Sequence, residues 1–192
     1  DSTSTATVKR ATSVWNAGHE LIVGQYGHAT LNIEAGGRVV TDADGLVAAD
    51  SPSNGQVYVS HNDATWACGA NLYVGGDSAS SGGTGLLEIG AHGVVEADGR
   101  VKVWPTGTLR LMTGPPVGGW LRCDTLELVN AASLDSHGGS SFAVNALEGD
   151  VDNLNIVGNL YFGFTGGSGS GAHTVGPGRS LTSHYGGVGH EA

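Results

Sequence analysis

Apolar residues recur with a period of two along most of the chain. Leu31-Asn-Ile33, Val57-Tyr-Val59, Leu87-Glu-Ile89, Val101-Lys-Val103, Leu109-Arg-Leu111 and Leu126-Glu-Leu128 each place two aliphatic side chains on one side of an extended backbone and a different residue on the other. The pattern predicts half-buried strands of about three to five residues. Gly, Asn and Asp close them, so Ala35-Gly-Gly37, Asp44-Gly45, Asn54-Gly55, Asp98-Gly99 and Gly118-Gly119 read as turns. No segment keeps apolar residues at i, i+3, i+4 and i+7, and Gly recurs too often for a helix interior. The fold class is all-β.

The strand pattern repeats. Trp15 and Trp66 each precede a Val-Gly pair whose Gly, Gly24 or Gly75, lies nine positions on (24 − 15 and 75 − 66), and the copies are offset by 51. Leu31-x-Ile33 with Val39 returns as Leu87-x-Ile89 with Val95, offset by 56, the extra residues falling near Asp77–Gly83. Gly55-x-Val57-x-Val59 returns as Gly107-x-Leu109-x-Leu111. Leu31 to Val39, Leu87 to Val95 and Leu126 to Leu134 all span eight positions, one short strand and a corner to the next. Repeats of this length indicate stacked units too small to bury an apolar face alone. They favour a single-stranded parallel β-helix (β-solenoid) over an antiparallel sandwich or barrel, in which Asn-Gly and Asp-Gly would make hairpins. Leu31, Leu87 and Leu126 are expected in one lateral position of different coils, as are Ile33, Ile89 and Leu128. The solenoid is placed at residues 15–182, with copies at 15–65 and 66–114 and a degenerate repeat at 120–182. Residues 1–14 form an arm or added strand, and 183–192 a tail. The Gly/Ser-rich stretch 165–172 reads as a long solenoid turn.

These phrases resemble the autotransporter / PEP-CTERM-associated repeat of bacterial surface proteins. The resemblance is strongest from Asn71 to Thr113, through Asn-Leu-Tyr-Val-Gly-Gly, Gly-Thr-Gly-Leu-Leu-Glu-Ile and Val-Lys-Val-Trp-Pro-Thr-Gly-Thr-Leu. It implies a parallel β-helix in an exported protein, on or outside the cell. It carries no catalytic motif to transfer.

Composition narrows the partners. The 192 residues include 34 Gly, and the net charge is −10 with only Lys9 and Lys102 as lysines. That balance argues against nucleic acid, whose affinity comes from Lys and Arg on phosphates. No apolar run approaches the ~20 residues of a membrane-spanning helix. Cys68 and Cys123 lie 55 positions apart (123 − 68), more than one coil, so no bond between them within a chain is expected.

Candidate chemistry is sparse. Trp15 and Trp66 are read as packing residues, and Trp104 and Trp120 are the better sugar-stacking candidates. The eight histidines form no HxH or HExxH pattern. Asp42-Ala-Asp44 and Asp150-Val-Asp152 are acid pairs two apart, a spacing that on a strand puts both on one face, as hydrolysis or Ca²⁺ binding needs. Both sit beside Gly in expected turns, where Asp bonds locally. Thr5-Ala-Thr7 is a single rung, not an ice-binding ladder. The reading is a non-enzyme with no catalytic, metal or cofactor site. It is an extracellular structural protein, a head-to-tail filament subunit or an adhesin, with a glycan or cell-surface ligand as partner. A carbohydrate-binding or polysaccharide-degrading β-helix is the alternative. Neither end shows a capping helix, so open strand edges are expected to self-associate. Thr5, Thr7, Val8 and Leu181 are the candidate assembly residues, with residues 1–12 adding as a strand to another copy.

Overall fold

The computed structural model describes residues 2–114, 117–130, 132–150, 154–162 and 181–188, with 184, 185, 187 and 188 by backbone alone. These contain seventeen strands and no helix. All pairings between the strands are parallel. The chain winds as a single-stranded β-solenoid, and the antiparallel sandwich is excluded.

The first coil is β1 (Thr3–Lys9), β2 (Val14–Asn16) and β3 (Leu21–Val23). The second is β4 (His28–Glu34), β5 (Arg38–Thr41) and β6 (Gly45–Val47). The third is β7 (Asn54–Ser60), β8 (Thr65–Cys68) and β9 (Leu72–Val74). In the next three coils the last two segments fuse. The pairs are β10 (Thr84–Ile89) with β11 (Val94–Val103), β12 (Gly107–Leu111) with β13 (Trp120–Leu128), and β14 (Ser133–Ser136) with β15 (Ser141–Gly149). β16 (Asn155–Phe162) and β17 (Thr182–Val188) follow. One face stacks β1, β4, β7, β10, β12 and β14. A second stacks β2, β5, β8 and the first halves of β11, β13 and β15. The third stacks β3, β6, β9 and the second halves of those long strands. β11 rounds the corner between them at a register shift between Ala97 and Arg100.

Alternation puts every second residue inside, and stacking lines like residues into ladders. Leu31, Val57, Leu87 and Leu109 form one ladder, and Ile33, Val59, Ile89 and Leu111 another, all buried. On the second face the ladder is Trp15, Val39, Trp66, Val95, Leu121 and Phe142. On the third it is Leu72, Val101, Leu126 and Leu147. Burial of each such side chain contributes about 1.5–3 kcal/mol.

One coil takes 25 residues from Thr3 to its partner His28 (28 − 3) and 26 from His28 to Asn54 (54 − 28). The 51-residue sequence repeat is therefore two coils, with Val39 seated between Trp15 and Trp66. Leu31 and Leu87 share a column, two coils apart. Leu126 and Leu128 do not join it: they pair with Val101 and Val103 on the third face, and Leu134 holds the position below Leu109. Eight residues separate equivalent points across either corner, so spacing alone had put them on the wrong face.

Other expectations are refined by the structure. Gly45 and Gly55 are not turn residues but lie inside β6 and β7. A Cβ on Gly45 would sit 2.6 Å from the Trp66 ring, and one on Gly55 2.5 Å from the Ala48 nitrogen. Glycine is required there by close approach. Gly24 and Gly75 do turn a corner, at φ +82 and +80. Within the segment expected as an arm or added strand, Thr3–Lys9 form β1, which pairs with β4 of its own chain over seven residues as the first described rung of the solenoid. At the other end β17 extends to Val188, through much of the expected tail. The Gly/Ser stretch 165–172, Asp152, His173 and His190 lie outside the described residues.

Candidate functional site

The candidate assembly residues gather at the two ends of the solenoid. Thr5 and Thr7 project outward from β1, level with Thr30 and Asn32 of the next coil. Val8 points inward and is buried, so its contribution is to the core. Leu181 is half-buried against the core beside the last strand.

Among the described residues β1, β2 and β3 each pair with one neighbour only, so three strand edges face outward together. Trp15 stands in an inward column yet remains 38% exposed, and Val14 is 55% exposed, both on the outermost described coil. Trp66, the same residue two coils down, is fully buried, and its indole N–H donates to Thr41 Oγ1 at 3.0 Å. Ala6, Trp15, Leu21, Val23 and Leu31 line a mainly apolar cavity of about 140 Å³ at this end.

Of the two acid pairs, Asp42 and Asp44 are both described, and Asp152 of the other is not. Asp42-Ala-Asp44 lies in the corner between β5 and β6, and its two carboxylates line different clefts. Asp44 Oδ1 accepts from the Asn71 backbone N–H at 2.9 Å and from Asn71 Nδ2 at 3.0 Å. Asn71 Oδ1 in turn accepts the Arg100 N–H at 3.0 Å, so this corner is tied across three coils. Among the described residues no three His, Cys, Asp or Glu side chains come together to hold a metal ion. Trp104 is committed to structure. Its indole N–H donates to the Asp77 carbonyl at 2.8 Å, and Lys102 Nζ lies 4.1 Å from its ring centroid.

Among the described residues, two clefts lined by carboxylates stand on the outside of the solenoid. One, of about 400 Å³, is lined by Thr41, Asp42, Cys68, Gly69, Glu96 and Asp98. The Cys68 thiol donates to the carbonyls of Ala43 and Asn71, both at 3.2 Å, and burial pushes its pKa up, so it stays protonated. The other, of about 340 Å³, runs over the outside of the third face across coils one to three. Its lining includes Glu20, Asp44, Asp50 and Asp77 beside Leu46 and Tyr73. Asp77 is held by the N–H groups of Ala79 and Ser80, both at 2.7 Å, which draw its pKa below the usual carboxylate range.

Sequence reading missed this second cleft. Its residues come from three coils, and the signal that could have found it is the one-coil spacing of apolar positions, 24 from Ile22 to Leu46 (46 − 22) and 27 from Leu46 to Tyr73 (73 − 46). In comparisons with family models, with curated proteins and with solved structures, nothing matches the chain.

Proposed function

We propose that the chain is a non-catalytic structural β-solenoid that works outside the cell or on its surface, and that copies join head to tail through the open first coil. The observation that carries this reading is the one-sided pairing of β1, β2 and β3 above a column headed by the half-exposed Trp15. A coil added there pairs backbone along three strands at once, with each hydrogen bond contributing about 1 kcal/mol net. It also covers Trp15 and the apolar cavity below it. The surface location draws on the resemblance to exported bacterial repeat proteins.

The test is sedimentation velocity of the purified chain from about 5 to 500 µM, where mass action drives association, with electron microscopy of the same samples. Growth with concentration into filaments one solenoid wide is the expected result. A monomer across the whole range would end the assembly reading.

A further inference from the structure

The inward column headed by Trp15 can be followed rung by rung to the last described strand. It runs Trp15, Val39, Trp66, Val95, Leu121, Phe142, Leu160 and Gly186. From Val39 to Leu160 every member is buried. The two ends are opposites. The head carries a half-exposed indole, and the foot carries no side chain.

Gly186 is not explained by its own chain. At Gly45 and Gly55 a neighbouring segment leaves no room for a side chain. A Cβ on Gly186 would meet nothing nearer than Ser183 Oγ at 3.4 Å and the Leu160 carbonyl oxygen at 3.9 Å, both ordinary contacts, and its φ is not positive. Glycine inside a strand costs stability, and it marks places where another backbone or a ligand comes close. Among the described residues β17 pairs with β16 alone, so the segment that would come close on its other side is not in this chain's described fold.

The two edges match in kind. β2 pairs only with β5 among the described residues, and both β2 and β17 pair in parallel, so one edge set against the other continues every strand in the same direction. The neighbouring inward column reverses the sizes. It begins at Ala17, whose N–H donates to the Val40 carbonyl at 2.8 Å, and its register ends at Val188, opposite Phe162. Charge does not oppose the contact, because neither Val14–Asn16 nor Thr182–Val188 contains Lys, Arg, Asp or Glu.

We infer that the edge of the first described coil is occupied by β17 of a second copy, in the register that sets Gly186 on Trp15, Tyr185 on Val14 and Gly187 on Asn16. This rests on the head-to-tail reading above and names its partner surface. The Trp15 indole enters the space that the missing side chain leaves, as Trp66 fills the space over Gly45 inside the molecule. The two surfaces differ, so the contact is heterologous and repeats along the solenoid axis.

The test is disulfide trapping in the full chain carrying Val14→Cys and Tyr185→Cys. In this register their Cα atoms lie about 4.8 Å apart, within disulfide reach. Within one chain they are seven strand spacings or about 34 Å apart, so any bond between them joins copies. The native Cys68 and Cys123 thiols are buried. Oxidation at about 200 µM should give a ladder of covalent oligomers on a non-reducing gel. The yield should exceed by at least about tenfold that of the shifted pair Asn16→Cys/Tyr185→Cys, whose Cα atoms would lie about 8 Å apart. Gly186→Leu should weaken association by at least about tenfold with an unchanged circular dichroism spectrum, and adding Trp15→Ala should recover part of that loss. Two results would overturn this inference and leave the head-to-tail reading standing: filaments in which the in-register pair crosslinks no better than the shifted one, or a Gly186→Leu chain that assembles like the parent. A parent chain that stays monomeric from about 5 to 500 µM overturns both.

Discussion

Cys123 and Cys68 show how a column address decides the chemistry of a residue. Both face inward in one ladder with Ala97 between them, two strand spacings or about 10 Å apart. That exceeds disulfide reach, and both remain thiols. Burial pushes the Cys123 pKa up to about 12. The folded state therefore holds its proton where an unfolded thiol, near 8.5, releases it. The stability this contributes is fully present below about pH 8.5 and is lost as pH rises toward 12, with a limiting slope of about 1.4 kcal/mol per pH unit. Urea unfolding at a series of pH values from 8 to 11 should show wild type losing stability faster than Cys123→Ala; parallel curves would contradict the burial argument. Asn71 offers a second residue-scale test. Asn71→Ala leaves the Arg100 N–H without its partner and removes one of the two donors to Asp44 Oδ1, the backbone N–H of residue 71 keeping the other. The expected loss is about 1–3 kcal/mol, read from the urea midpoint at neutral pH.

At the scale of the element, two residues from adjacent coils share one space. Trp66 on β8 reaches over Gly45 on β6, and neither choice makes sense without the other. Gly45→Ala should destabilise by about 1–3 kcal/mol through overpacking, and adding Trp66→Phe should restore part of that. Additive losses in thermal melts would show that the two sites are independent. The same pair explains what the sequence could not disclose. Half-buried strands were legible because alternation is local, as in Leu87-Glu-Ile89. Asp44-Gly45 and Asn54-Gly55 read as turns because the reason for their glycines is a chain segment one coil away. The coil period was hidden because Trp15 and Trp66 match by identity while the rung between them holds Val39. Matching identities finds every second coil. Matching apolar character at Leu31, Val57, Leu87 and Leu109 finds each one. The cleft stayed invisible for the same reason, since Ile22, Leu46 and Tyr73 become neighbours only at the true period.

At the scale of the whole molecule, a solenoid's interior is indifferent to how many coils it contains, so its ends decide whether it stops. Here the described N-terminal end offers edges of β1, β2 and β3 and the side chains of Val14 and Trp15. Val14 is 55% exposed in the single chain and Trp15 38%, so a change at Val14 costs the isolated fold little and one at Trp15 costs part of its packing over Val39. They would be covered in a head-to-tail filament, where an unpaired charge costs several kcal/mol. Val14→Glu combined with Trp15→Lys should therefore remove filaments from electron micrographs at a temperature where circular dichroism shows the variant still folded. Thr108→Lys, outward on the flank of β12, should leave them intact. If the parent forms filaments and the double variant forms them equally well, the open first coil is not the contact. If Thr108→Lys dissolves them instead, the subunits associate side by side.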